Sequence, residues 1–176
     1  MRILETDRIL LKPVETEDLN YLLNLRWNQE VTNYLIHDPI SVKNQNEWYN
    51  NLKNNDLALS VFIKENDELR IIGTIGLYDI NTRHQRAVLR IRIDPLQQRK
   101  GYAKDAMNLL LDYGFNTLNL NKIVADCFAD NVAIVNLVLK VGFKQEGLLV
   151  EHFFHKGEFR DAVQIGLLRK DFNSRK

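Results

Sequence analysis

Apolar residues recur along this chain with two periods: a spacing of two marks strands, and a spacing of three to four marks helices. Ile9 to Val14 reads as a short strand. Thr16 then caps a helix with Glu17 and Asp18 in its first turn, where negative charge suits the positive helix end. The apolar face of that helix is Leu19, Leu22, Leu23 and Trp27. Ser41 caps a second helix carrying Trp48, Tyr49 and Leu52, and the segment between, NQEVTNYLIHDP, has no clean period and ends in a turn signal. Leu57 to Lys64 and Arg70 to Ile80 are β-rich runs joined by ENDE, which predicts a hairpin. In Arg86 to Ile93, Val88, Arg90 and Arg92 alternate with Leu89, Ile91 and Ile93. Strict alternation gives that strand one wet or ligand-facing side.

LQQRKGYAKDAMNLLLDYGF is a turn running into an amphipathic helix. Ala103, Ala106, Met107, Leu110, Leu111, Gly114 and Phe115 follow helical spacing, so the helix begins near Gly101 or Tyr102. Lys122 to Phe128 reads as a strand. Val132 to Val141 reads as a helix with Ile134, Leu137, Val138 and Val141 on one side and a glycine stop at Gly142. Lys144 to Leu168 reads as two strands turning at HKGE. The order β, α, α, β, β, β, α, β, α, β, β predicts an α/β or α+β fold, a sheet with helices packed on it. Pro13, Pro39 and Pro95 all fall between periodic segments, and no repeat or linker interrupts the chain. One domain over residues 1–176 is expected.

Composition narrows the function. With 45% apolar and 27% charged residues the chain is ordinary for a globular protein. The net charge of +1 supplies no global field for nucleic acid or an anionic membrane, so neither is an expected partner. Cys127 is the only cysteine, which excludes an intrachain disulfide and a cysteine metal site, and no metal is expected. No apolar run spans a bilayer and MRILETDRILLK lacks a signal-peptide core, so the expected location is the cytoplasm.

The helix beginning at Gly101 carries the chemical signal. An α-helix leaves its first four N–H groups unsatisfied. Here no Ser, Thr, Asp or Asn stands before the apolar pattern; Arg99, Lys100 and Gly101 do. Gly101 permits close backbone approach, and the two cations add to the positive helix end, which suits an anion, most naturally a phosphate. The pattern is neither a Walker loop nor a dinucleotide fingerprint.

IRIDPLQQRKGYAKDA resembles the acyl-CoA-binding motif of the GNAT superfamily of N-acetyltransferases, Gln/Arg-x-x-Gly-x-Gly/Ala, with Gln98, Gly101 and Ala103 at the defining positions. NVAIVNLVLKVGF resembles the second landmark of that superfamily, through Asn131, Lys140, Gly142 and Phe143. The resemblance implies a mixed, mostly antiparallel sheet whose fourth and fifth strands splay apart, with helices on both faces. It implies acetyl-CoA as acyl donor. The pantetheine would pair along Ile91, Arg92 and Ile93, and the pyrophosphate would lie on the backbone of Arg99, Lys100, Gly101, Tyr102, Ala103 and Lys104, beside Gln98. Asn131, Asn136 and Lys140 complete the implied cofactor set.

Acetyl transfer to an amine needs a proton acceptor, donors for the carbonyl oxygen and a proton for the leaving thiolate. In the resembled family the oxygen is served by a backbone N–H, here near Ile91 or Arg92. Three positions that are polar in many members are aliphatic here: Val88, Ile134 and Val138. Asp79, ending a β-run, is the candidate base. Glu30 and Asp126 are further acids, each equally suited to a solvated surface. Tyr34, Tyr78, His84, His152 and His155 are candidate pocket residues without a catalytic role. Cys127 alternates with Ile123 and Ala125, which favours burial over nucleophilic chemistry. Two readings stay open: a transferase working by direct transfer, and an acetyl-CoA-binding sensor or interaction module. LRWNQEVTNYL, DPIS, EWY, YGFNTLNLNKI and EHFFHKGEFRDA resemble the branch with ribosomal-protein N-terminal, spermidine/spermine and aminosugar-nucleotide acetyltransferases. The acceptor implied is a polyamine, a protein N-terminus or an aminosugar. A polycation calls for an acidic pocket, and of two acidic positions in the polyamine type one is Gly76 here and the other Asp79. The edge of the C-terminal hairpin leaves self-association open.

Overall fold

The computed structural model describes residues 4–34, 40–53, 55–66 and 68–174. Residues 35–39 of the irregular segment, with Pro39, and Asp67 of the ENDE turn lie outside the described residues. Eight strands form one sheet: β1 (Leu4–Glu5), β2 (Ile9–Pro13), β3 (Leu57–Glu65), β4 (Glu68–Asn81), β5 (Arg86–Ile93), β6 (Lys122–Phe128), β7 (Lys144–His155) and β8 (Glu158–Leu168). Their order is β1-β2-β3-β4-β5-β6-β8-β7, and every neighbouring pair is antiparallel except β5 with β6. The mixed, mostly antiparallel sheet is the one expected.

Helices cover both faces. On one face α4 (Tyr102–Asn116), α5 (Val132–Val141) and α6 (Arg169–Asn173) close a core around Ile75, Leu77, Leu89, Met107, Leu110 and Phe115. On the other, α1 (Leu19–Trp27) and α3 (Val42–Asn50) pack over Val14, Ala58 and Tyr78 through Leu19, Leu22, Trp48 and Tyr49. Strand alternation sorts β5 between the two. Leu89 and Ile93 are buried with the α4 core. In the β4–β5 ladder Arg92 stands opposite Thr74, Arg90 opposite Gly76 and Val88 opposite Tyr78, which places all six positions on the α1–α3 side.

Gly114 sets how closely α4 approaches the sheet. A Cβ there would lie 2.9 Å from Ile123 Cδ1 and 3.1 Å from Leu77 Cδ1. Gly114→Val should therefore destabilise the protein by about 1–3 kcal/mol through overpacking, read from denaturant unfolding.

Two details of the helix starts differ from expectation. Thr16 is not the cap: residues Thr16–Asp18 form a 3-10 turn before α1, and Glu15 holds the cap position in a reciprocal box with Asp18. The Asp18 carboxylate also accepts the Ser60 hydroxyl at 2.6 Å, which ties the turn to β3. Trp27 is 51% exposed and not a core residue. Its indole N–H donates to the Ile40 carbonyl at 2.9 Å, because α1 ends there and a short α2 (Gln29–Thr32) turns away. Ser41 caps α3 as expected, accepting from the Asn44 N–H at 3.1 Å. Gly142, at φ 106, ends α5 as expected.

Candidate active site

β5 and β6 pair over three residues only, Arg86–Val88 against Lys122–Val124. Beyond them the strands diverge; this is the expected splay of the fourth and fifth strands, numbered β5 and β6 because the short β1 precedes them. Residues 89–93 and 125–128 turn ladder groups toward a gap instead of a partner strand, leaving backbone donors and acceptors free for a ligand. A cavity of about 460 Å³ opens at this splay. β5 and β6 form two walls, with Val88 to Arg92 on one and Ala125 to Phe128 on the other. Asn131, Ile134 and Val138 of α5 form a third. Leu22 and Arg26 of α1, Gln45 and Trp48 of α3, and Thr74 and Tyr78 of β4 close the remaining side.

The loop into α4 stands beside β5. Asp94 opens it, accepting from the Leu96 N–H at 2.9 Å and from the Tyr21 hydroxyl at 2.8 Å. Burial, reinforced by that bond to Asp94, pushes the Tyr21 phenol well above its ordinary range. The tie fastens the loop to α1. Gln98 donates to the Ile93 carbonyl at 3.3 Å, so the end of β5 fixes the loop as well. Arg99 and Gly101 are both left-handed, at φ 61 and 89, on either side of Lys100. Such alternation turns backbone N–H groups toward a common point, as in anion-binding nests. No side chain caps α4. The expected bare helix end is present.

Arg8 also stands at this helix end. Its guanidinium donates to the Lys100 carbonyl, pairs with Asp105 at 3.2 Å and lies 4.8 Å over the Tyr102 ring. The contact joins positions 92 residues apart, and no local pattern in the sequence announces it.

The other residues expected at the site divide. Ile91, Arg92 and Asn131 line the cavity. Asn131 also caps α5, accepting from the Ile134 N–H at 3.3 Å. Ile93, Gln98 and the run Arg99, Lys100, Gly101, Tyr102, Ala103 and Lys104 form the strand end, the loop and the first turn of α4 just described. Asn136 and Lys140 are exposed, and helical geometry places them on the side of α5 away from Ile134 and Val138. Asp79 does not line the cavity. It sits in a bulge at the end of β4 with φ 50 and pairs with Lys53 at 3.1 Å. Among the described residues, the carboxylate that does line the cavity is Asp126.

Among the candidate pocket residues, Tyr34 and Tyr78 line the cavity, whereas His84, His152 and His155 do not. Val88, Ile134 and Val138 all line it, so the three aliphatic replacements stand where chemistry is expected. Cys127 lines it half-buried. Burial, with a smaller contribution from Asp126, pushes its thiol up to about 11. A group with its pKa raised that far stays a neutral thiol through the neutral range, and the thiolate is the nucleophilic form. Native protein should therefore react with iodoacetamide at least about 100-fold more slowly than free cysteine near neutral pH. Cys127→Ala should retain turnover within about threefold, since direct transfer does not use the thiol.

This splayed, mostly antiparallel sheet with an uncapped helix end beside the splay defines the GNAT class. Residues 8–144 match the model of the acetyltransferase (GNAT) domain family, and the chain belongs to that family. It is 33% identical over 168 residues to the spermidine N(1)-acetyltransferase of Vibrio cholerae, covering 96% of this chain and 97% of the relative. The crystal structure of the Vibrio cholerae spermidine N-acetyltransferase in complex with CoA and spermine superposes with a TM-score of 0.87, at 32% identity, covering 96% of this chain and 99% of that one. A dodecameric structure of the Vibrio cholerae enzyme superposes at 0.82, with 32% identity over 97% of this chain and 99% of that one. The chain is an acetyl-CoA-dependent N-acetyltransferase that transfers the acetyl group to a primary amine, and the enzyme reading stands over the sensor. No helix among the described residues is long and apolar enough to cross a membrane.

Proposed function

We propose that a single domain over residues 1–176 carries out direct acetyl transfer in the cavity at the β5–β6 splay. The observation that carries this reading is the pairing of two unmet needs side by side: unpaired backbone along β5 and an uncapped N-terminus on α4. A pantetheine amide chain answers the first and a pyrophosphate the second. Ile91, Arg92 and Ile93 would pair with the pantetheine. Gln98 and the backbone of residues 99–104 would hold the pyrophosphate, with Arg8 and Lys100 adding charge. Bound there, acetyl-CoA supplies an activated acyl group. The β5 N–H groups in the splay donate to the carbonyl oxygen as it gains negative charge. Isothermal titration with acetyl-CoA should show saturable binding, and free-thiol release should appear with a suitable amine. No binding would sink the assignment of this site.

Polyamines enter as a second reading, favoured by the similarity to spermidine N(1)-acetyltransferases. The cavity walls are poorly matched to them: Arg26, Arg90 and Arg92 face a single carboxylate, Asp126, among the described lining residues.

Val138 is 2% exposed and lines the cavity one turn beyond Ile134. Val138→Tyr would place a phenol donor there for the leaving thiolate. We expect kcat to rise about tenfold, within the range proton donors contribute, as measured by thiol release.

Self-association belongs to the same proposal. β7 lies at the sheet edge, and Leu148, Val150, Phe154 and Phe159 of the β7–β8 hairpin are exposed. An exposed edge carrying apolar side chains invites a second copy, in keeping with the dodecameric relative. Light scattering should show an assembly larger than a monomer. Cytoplasmic residence is proposed on the lone, unpaired Cys127.

A further inference from the structure

We infer that the acceptor carries an anionic group, a carboxylate or a phosphate, bound by Arg26 and Arg92 on the α1–α3 face of the cavity. The inference rests on the proposed transferase site and names the substrate class for it.

The argument begins with register. Arg90 and Arg92 point to the sheet face opposite α4; Arg92 is partly covered there beneath α1 and α3, whereas Arg90 is exposed. Arg26 comes down from α1 onto the same wall. Three guanidinium groups thus share one side of a 460 Å³ cavity. None of the three pairs with a carboxylate among the described residues. Their contacts are neutral. Arg26 donates to the Gln45 side chain at 3.4 Å and lies 6.0 Å from the Trp48 ring centre. Arg90 stacks 4.9 Å over the Tyr78 ring. Arg92 Nε is buried with no hydrogen-bond partner.

Burying a charged group without a counter-charge is costly, and a fold rarely keeps such groups unless a ligand meets them. Two consequences of that cost are visible. Burial first, then repulsion from Arg26, lowers the Arg92 guanidinium to about 10. Burial likewise lowers Arg26. An incoming anion removes both penalties: it supplies an acceptor for Arg92 Nε and a charge between two like charges. Guanidinium groups match the planar or trigonal oxygens of carboxylate and phosphate. The same charges repel a polycation.

The inferred site lies on the α1–α3 face of β5, whereas α4 packs on the other face, so the anion is assigned to the acceptor rather than to the acyl donor's diphosphate. It belongs to the acceptor, whose amine must reach the splay between β5 and β6.

The test compares amines in matched pairs by free-thiol release: an α-amino acid against its amide, and an aminosugar phosphate against the free aminosugar, with spermidine as a third arm. The anionic member of at least one pair should have a KM about 30-fold below its neutral counterpart, the range of a charge-assisted hydrogen bond. Which pair responds separates carboxylate from phosphate. In Arg26→Met that ratio should collapse toward one, and Arg26→Lys should restore part of it. Equal KM values within both pairs, or spermidine preferred over every anionic amine, would overturn the inference. Failure of the transferase reading itself gives a different pattern, with no thiol released by any amine. A second readout then decides. Acetate and inorganic phosphate are titrated into CoA-saturated protein, with Arg26→Met as the control. Binding of either that is lost in the variant supports the inference, and binding of neither overturns it.

Discussion

Gly101→Glu should weaken acetyl-CoA binding by at least about 100-fold while the protein stays folded. Two effects converge on this residue, and the fold has room for both. At φ 89 the backbone lies where an L side chain costs roughly 1–2 kcal/mol, so the substitution strains the loop that must present its N–H groups. A Cβ at Gly101 would sit 3.4 Å from Arg8 Nη1, ordinary contact, so the fold itself has room for the side chain. The new carboxylate then falls between Arg8, Lys100 and the helix N-terminus, and satisfies the donors reserved for the pyrophosphate. A self-supplied anion stabilises the empty helix end and excludes the external one. Calorimetry with acetyl-CoA should therefore show lost binding, and the melting temperature of the unliganded variant should move by only a few degrees. Gly101→Ala separates the terms: it keeps the strain without the charge and should lose far less affinity. Normal acetyl-CoA affinity in a folded Gly101→Glu protein would contradict the site.

The contrast between Gly101 and Arg8 shows what a sequence can carry. The uncapped helix is a local pattern, legible because the missing cap and the surrounding cations stand within a few residues of each other. The alternation of Val88, Arg90 and Arg92 is local too, and all three line the cavity, although Leu89 and Ile91 of the other set line it as well. Arg8 and Arg26 reach their places through tertiary packing, the first from the turn before β2 and the second from α1. No spacing rule joins them to residues 90–105. Asp79 fails for a related reason. It is the candidate as the acid that ends a β-run, and it is there that the β4–β5 register shifts, between Tyr78 and Asn81. The bulge turns the Asp79 side chain to Lys53 and the surface. Trp27 reads as core on a helical wheel, but α1 ends there and leaves it half outside.

Asp126→Asn should lower kcat/KM for acetyl transfer about 100-fold, with acetyl-CoA affinity unchanged. An alkylammonium titrates near 10.4 and an α-amino group near 8, so at neutral pH the acceptor must give up a proton before it can attack. The cavity offers few places for that proton. Arg26, Arg90 and Arg92 are cations, and Tyr78 is held neutral because burial raises its phenol. Asp126 is the one carboxylate among the described lining residues, and its charge is felt inside the cavity, since it contributes to the raised Cys127 thiol. It can take the proton directly or through a water. Asn keeps the shape of the side chain and removes only the basic oxygen, and position 126 is exposed on a strand that β8 holds through a full ladder. The fold should therefore be indifferent to the change. The pH profile distinguishes a proton acceptor from a structural role. With Asp126 absent, the rate should depend on free amine from solvent and climb tenfold per pH unit toward the acceptor's own pKa, recovering much of the loss at high pH. A loss that is equal at every pH would assign Asp126 to positioning, and an unaltered rate would assign deprotonation to bulk water.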